Sequence, residues 1–185
     1  MKTYMKGCLV LILILVLVLA GIVGWYNWRK DRNQQQAETD LIKFSGVCDS
    51  VSLISEKPTI QLQNFNKSEI SRLKFYLLSA GKVTTDTTVH INFPSANIPV
   101  FTQLPFSSFL KTDTIVLETQ GRIKRHYFIS GFRHYVYLHY GMMGYLGTYD
   151  CRLDNDRLVI NGKETDGILS RQAGITGAFL LSKRP

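Results

Sequence analysis

Between residues 122 and 139 the chain carries seven side chains able to grip a ligand: Arg122, Lys124, His126, Arg133, Tyr135, Tyr137 and His139. A two-residue turn at Ser130-Gly131 would join two strands and put all seven on one face. Phe128 then faces Arg133, His126 faces Tyr135, Lys124 faces Tyr137, and Arg122 faces His139. The other face pairs Ile129 with Phe132, Tyr127 with His134, Arg125 with Val136 and Ile123 with Leu138, and reads as core. Interleaved basic and aromatic groups offer donors, cation–π contacts and flat contact area at low entropy cost. Such a face would take an anionic polymer, a glycan ring, a lipid headgroup or a protein. The same pattern also describes a solvent-facing sheet held by cross-strand pairs worth about 0.2–1 kcal/mol each. Arg125 and His134 fall on the core side. Arg125 must reach the rim or a buried acid, and His134 reads as a hydrogen-bonded core histidine rather than a ligand.

Catalytic patterns are missing from the rest of the chain. There is no G-x-S-x-G elbow, no H-E-x-x-H, no phosphate-binding loop and no C-x-x-C. His134 and His139 are five apart, so on a strand they point to opposite faces. Asp150, Asp154 and Asp156 cluster around a predicted turn without calcium-loop spacing. Gly141-Met142-Met143-Gly144-Tyr145-Leu146-Gly147 has glycines every third residue, unlike a dinucleotide fingerprint, and reads as a flexible loop. No cofactor or metal is implied.

Cys48 and Cys151 are the two cysteines beyond the N-terminal segment. Paired in an oxidising compartment they would close a loop of about a hundred residues, worth about 3–5 kcal/mol. Unpaired, they would behave as small buried apolar residues. Cys8 reads as an inert apolar residue, with palmitoylation as the alternative.

The elements that must position these groups begin with an anchor. The uncharged run from Cys8 to Trp28 would make a helix about 30 Å long, the thickness of a bilayer's hydrocarbon core. Tyr4, Trp25, Tyr26 and Trp28 sit where interfacial aromatics belong, and Arg29-Lys30-Asp31-Arg32 follows. Residues 1–28 are therefore a transmembrane anchor. A cleaved signal ending near Ala20 is the alternative, but apolar residues continue two turns further. Lys2 and Lys6 against Arg29, Lys30 and Arg32 slightly favour a cytoplasmic C-terminal side, whereas a Cys48–Cys151 pair would argue for an extracytoplasmic one. Ala20 and Gly24 form a small-xxx-small pair that would admit a homo-oligomer, although isolated pairs are common.

Residues 29–43 form a polar juxtamembrane linker, either helical or a tether, and 44–185 have the size of one domain. The formal charge of +8 divides into +4 for residues 1–32 (five basic, one acidic) and +4 for the remainder (17 basic, 13 acidic), too mild to argue for nucleic acid. Strand patterns appear at 46–55, 60–65, 87–93, 113–119, 122–129, 132–140, 146–153 and 157–161. Thr119-Gln120-Gly121 suits a three-residue hairpin, which would set Leu117 beside Ile123 on the core side and Glu118 beside Arg122 outside. Asn66 three residues before Glu69, with Ile70, Leu73, Leu77 and Ala80 following and Gly81 as a cap, predicts one helix over 67–80. The fold class is α+β: a transmembrane helix followed by one compact, mainly antiparallel β domain with that single helix.

The leading functional expectation is a single-pass, membrane-tethered, non-enzymatic binding or assembly domain with a protein partner in a cell-envelope complex. A glycan- or anionic-polymer-binding domain using the basic-aromatic face is the alternative. An enzyme using His126 and His139 with a further acid ranks last.

Overall fold

A computed structural model describes residues 2–65, 70–91, 98–121 and 123–177. Its first element is a helix, α1 (Lys2–Asp49), about 70 Å long at the standard rise. The apolar part is long enough to cross a membrane, with a mean hydropathy of 2.5 and no part buried against the protein. The polar part continues the helix without a break. Residues 29–45 contain no Gly or Pro, and local bonds support them: Gln34 to Glu38 and the Thr39 hydroxyl to the Gln35 carbonyl. Of the strand expected at 46–55, residues 46–49 are thus the last turn of α1, and only Leu53–Ile54 are strand. Ala37, Leu41, Phe44 and Cys48 recur at helical spacing, and that stripe carries the helix through Cys48. The Ser50 and Val51 amides bond back to the Val47 and Cys48 carbonyls, and the Lys111 ammonium donates to the Asp49 carbonyl, closing the C-terminus.

Fourteen short strands follow among the described residues. They are β1 (Leu53–Ile54), β2 (Thr59–Gln63), β3 (Arg72–Ser79), β4 (Lys82–His90), β5 (Val100–Gln103), β6 (Phe109–Leu110) and β7 (Thr114–Gln120). The second half supplies β8 (Arg125–Ser130), β9 (His134–Gly141), β10 (Gly144–Leu153), β11 (Leu158–Ile160), β12 (Lys163–Thr165), β13 (Ile168–Ser170) and β14 (Ile175–Thr176), with a 3₁₀ turn at Arg171–Ala173. The largest sheet runs β12-β11-β8-β7-β3-β4, with β14 also on β8. A three-stranded sheet runs β13-β2-β5, in which β13 is parallel to β2, and β9 and β10 form a separate ribbon. The chain divides into two compact units, one of residues 1–46 with 136–150 and the other of 47–135 with 151–185. The core of the second unit is built on Ile54, Leu62, Leu73, Phe75, Ile115, Leu117, Tyr127, Ile129, Leu158 and Leu169.

The helix expected over 67–80 is not formed. Asn66 and Glu69 lie outside the described residues, and Arg72–Ser79 is strand β3, buried on both neighbours' flanks by β4 and β7. Leu73, Phe75 and Leu77 enter the core at period two, and the intervening apolar Tyr76 and Leu78 had blurred that alternation into a helical one. Ala80 and Gly81, with φ of 49° and 75°, make the two-residue turn that lets Ser79 pair with Lys82. Gly81 therefore turns a hairpin rather than capping a helix.

The hairpin expected between β8 and β9 is not formed either. The edge of β8 opposite β7 is taken by β11, through Val159 on Ser130 and Ile160 on Ile129, and by β14, through Ile175 on His126. Asn161 extends this edge: its side-chain oxygen accepts from the Phe128 amide and its own amide donates to the Phe128 carbonyl, each at 2.9 Å. With β8 saturated, the chain leaves the sheet after Gly131 and pairs β9 with β10 instead. Strands β7 and β8 do pair, but Glu118 faces His126 rather than Arg122. The slip is four residues, an even number, so Tyr127 and Ile129 keep their core face.

Candidate functional site

The strand pair β7–β8 and its neighbour β3 assemble one polar cluster. Cross-strand register sets Glu118 opposite His126 on one side and Lys74 on the other. Glu118 is 8% exposed and His126 3%. His126 Nε2 lies 3.2 Å from Glu118 Oε2, Lys124 Nζ lies 3.2 Å from Oε1, and the Tyr76 hydroxyl reaches Oε2 at 3.5 Å. Burial alone would push the Glu118 carboxyl up, but the bonds from His126 and Lys124 and the Lys124 charge outweigh it and hold the group below its ordinary value. Next to it Lys74 bonds Asp86 at 3.0 Å and covers the Tyr76 ring, and the Asp86 bond raises its pKa. A carboxylate holding an imidazole is the acid–base half of many catalytic sets. Here the imidazole and the carboxylate are both buried within the sheet.

His126, expected on an exposed face, is thus internal. Arg122 lies outside the described residues. Lys124 is engaged by Glu118, and Arg133 is engaged by Asp154 at 3.4 Å and Glu164 at 3.1 Å. On β9 the expected alternation holds: His134, Val136 and Leu138 are buried, Tyr135 and Tyr137 exposed. His134 is inward as expected, but its Nδ1 has no hydrogen-bond partner among the described residues. His139 bonds Asp150 at 2.8 Å and meets the Tyr137 ring edge-on. The described ligand candidates are therefore spread over separate elements: His126 is on β8 of the seven-stranded sheet with Lys124 just before that strand, and Tyr135, Tyr137 and His139 are on β9 of the ribbon. Asp154 caps its own turn by accepting from the Asp156 amide, and no three His, Cys, Asp or Glu side chains converge as a metal site among the described residues.

The run from Gly141 to Gly147, expected as a flexible loop, is the ordered end of the β9–β10 ribbon, with only Met142 and Met143 in the turn. Gly144 takes φ of 98° to complete that turn. Within the same unit, the ribbon and α1 are joined at three points. Asn33 Nδ2 donates to the Met143 carbonyl at 2.9 Å, the Tyr145 hydroxyl donates to Asp40 at 3.0 Å, and the Phe44 and Tyr149 rings stack at 3.8 Å. Burial, then the bond to Asp40, raises the pKa of Tyr145. A groove of about 400 Å³ lies there, walled by Ala37, Leu41, Leu138 and Tyr145 with Lys30 and Asn33 at one end. None of these helix contacts was foreseen, because single polar residues such as Asn33 and Asp40 carry no periodic signal.

Cys48 and Cys151 are bonded, with Cα atoms 5.1 Å apart. The bond ties the last turn of α1 to β10 across 103 positions of sequence. No protein-family model, curated protein or solved structure matches the chain.

Proposed function

We propose that the chain is a single-pass, membrane-tethered, non-enzymatic binding or assembly component of a cell envelope, with its β domain extracytoplasmic and a protein as its partner. The observation that carries this reading is the Cys48–Cys151 bond beside a helix able to span a bilayer. Such a bond persists in oxidising compartments and is rare in the cytosol. The pairing of cations within the chain supports a protein partner over an anionic polymer. Lys124, Arg133 and His139 each have a carboxylate partner, while Tyr135 and Tyr137 stand exposed on β9, the kind of aromatic surface that interfaces favour. His126 and His139 each hold a separate carboxylate, on different sheets.

The test is thiol labelling of intact cells with a membrane-impermeant maleimide, with and without reduction, alongside membrane fractionation. The expected result is a membrane-bound chain whose Cys48 and Cys151 label from outside only after reduction. Labelling without reduction, and only after lysis, would place the domain in the cytoplasm and end the envelope reading.

A further inference from the structure

The three contacts between ribbon and helix run in the same order along both elements: 33, 40 and 44 on α1 against 143 in the turn and 145 and 149 on β10. From Asn33 to Phe44 the helix rises about 16 Å, and from Met143 to Tyr149 the strand advances about 20 Å. The ribbon therefore lies along the helix, with its turn toward the apolar end.

That turn is strongly apolar. Met142 is 97% exposed, Tyr140 64% and Leu146 60%, and Met143 is partly exposed beside them. Apolar side chains collected at the end of an ordered hairpin mark a surface that meets another apolar phase. The helix says which phase. Arg29 covers the Trp25 ring at 5.3 Å and Arg32 the Trp28 ring at 5.0 Å, the pairing of indole and cation suited to the boundary between acyl chains and headgroups. Asn33, which holds the turn, is about 7 Å beyond Trp28 along the axis. A headgroup layer is about 5–7 Å thick on each side of the hydrocarbon.

We propose that the β9–β10 turn is a second membrane contact, with Tyr140, Met142, Met143 and Leu146 seated in the headgroup layer of the leaflet from which α1 emerges. The inference rests on α1 spanning the bilayer. A transmembrane helix alone leaves the chain free to rotate and tilt, and an apolar hairpin fixed to one of its faces sets which face looks at lipid.

The experiment uses the full chain with Cys8→Ser and the native disulfide intact, reconstituted in phosphatidylcholine–phosphatidylglycerol vesicles. A polarity-sensitive nitrobenzoxadiazole label is placed in turn at Met142→Cys, Val18→Cys and Thr39→Cys, the last exposed on the polar part of α1. Nitroxide lipids carry the quencher at the headgroup or at the acyl end. The Met142→Cys label is expected to emit further to the blue than that at Thr39→Cys and to lose most emission to the headgroup quencher. The Val18→Cys label is expected to lose most to the acyl-end quencher. A water-like, unquenched label at Met142→Cys with Val18→Cys quenched overturns the second contact and leaves the anchor standing. A blue-shifted but unquenched label there means that protein covers the turn, and overturns it equally. An unquenched Val18→Cys label removes the anchor, and the second contact falls with it.

Discussion

Glu118 is the side chain on which most of the buried polar contacts converge, and its behaviour with pH follows from them. Its partners hold the carboxyl below its ordinary value in the folded chain. A depressed carboxyl contributes stability above its unfolded pKa, and that contribution fades as pH falls through the folded value. Glu118→Gln keeps the shape but removes the charge, so it should destabilise the fold at neutral pH by about 1.5–3 kcal/mol, the range for a hydrogen bond to a charged group. Urea unfolding at neutral pH and again below the ordinary carboxylate range, about pH 4, reads the effect. The gap between parent and variant should narrow at the lower pH and close only below the folded value; a gap of constant size would mean that the loss is one of packing.

At the scale of elements, the 3₁₀ turn depends on a close approach. The Tyr127 hydroxyl donates to the Ser170 carbonyl at 2.9 Å, and burial pushes the pKa of that phenol far up, so it stays a donor. Gly174 lies over the ring: an added Cβ would come within 2.5 Å of the hydroxyl oxygen, 2.7 Å of Cζ and 2.9 Å of the Arg125 Cβ. A core ring cannot move aside freely, so Gly174→Ala should cost about 1–3 kcal/mol, the usual penalty of overpacking. The denaturation midpoint of the detergent-solubilised chain checks it. The strands legible in the sequence were those whose apolar pattern needs no partner to be seen. The continuous run Ile115-Val116-Leu117 in β7 is wholly buried, and Leu158 and Ile160 in β11 and Leu153 at the end of β10 point inward. What could not be read was pairing between distant segments. Nothing near Ser130 shows that β11 and β14 will take the edge of β8, and that single fact dissolved the expected basic-aromatic face. The same holds for β3, whose strand character is imposed by β4 and β7 against a helical spacing of Leu73 and Leu77.

For the molecule as a whole, the disulfide is the longest-range constraint on the unfolded chain. It joins positions 103 apart. Closing a loop of that length removes chain entropy worth up to about 4.7 kcal/mol. Cys151→Ala should therefore lower stability by about 3–5 kcal/mol, measured by guanidinium unfolding with near-ultraviolet circular dichroism. A reductant should bring the parent chain close to the variant and leave the variant unmoved; equal sensitivity of both to reductant would place the effect elsewhere. The parallel pairing of β13 with β2 bears on how the chain is made. Gln61 and Leu62 meet Ile168 and Leu169, so the three-stranded sheet cannot close until roughly a hundred further residues have followed β2. At a synthesis rate of about 5–20 residues per second the delay is some 5–20 s. Throughout it Gln61, Leu62 and Gln63 wait without the β13 partners they finally pair with. Biogenesis of the domain is thus completed only after synthesis of nearly the whole chain, and the order of assembly is set by its last strands rather than its first.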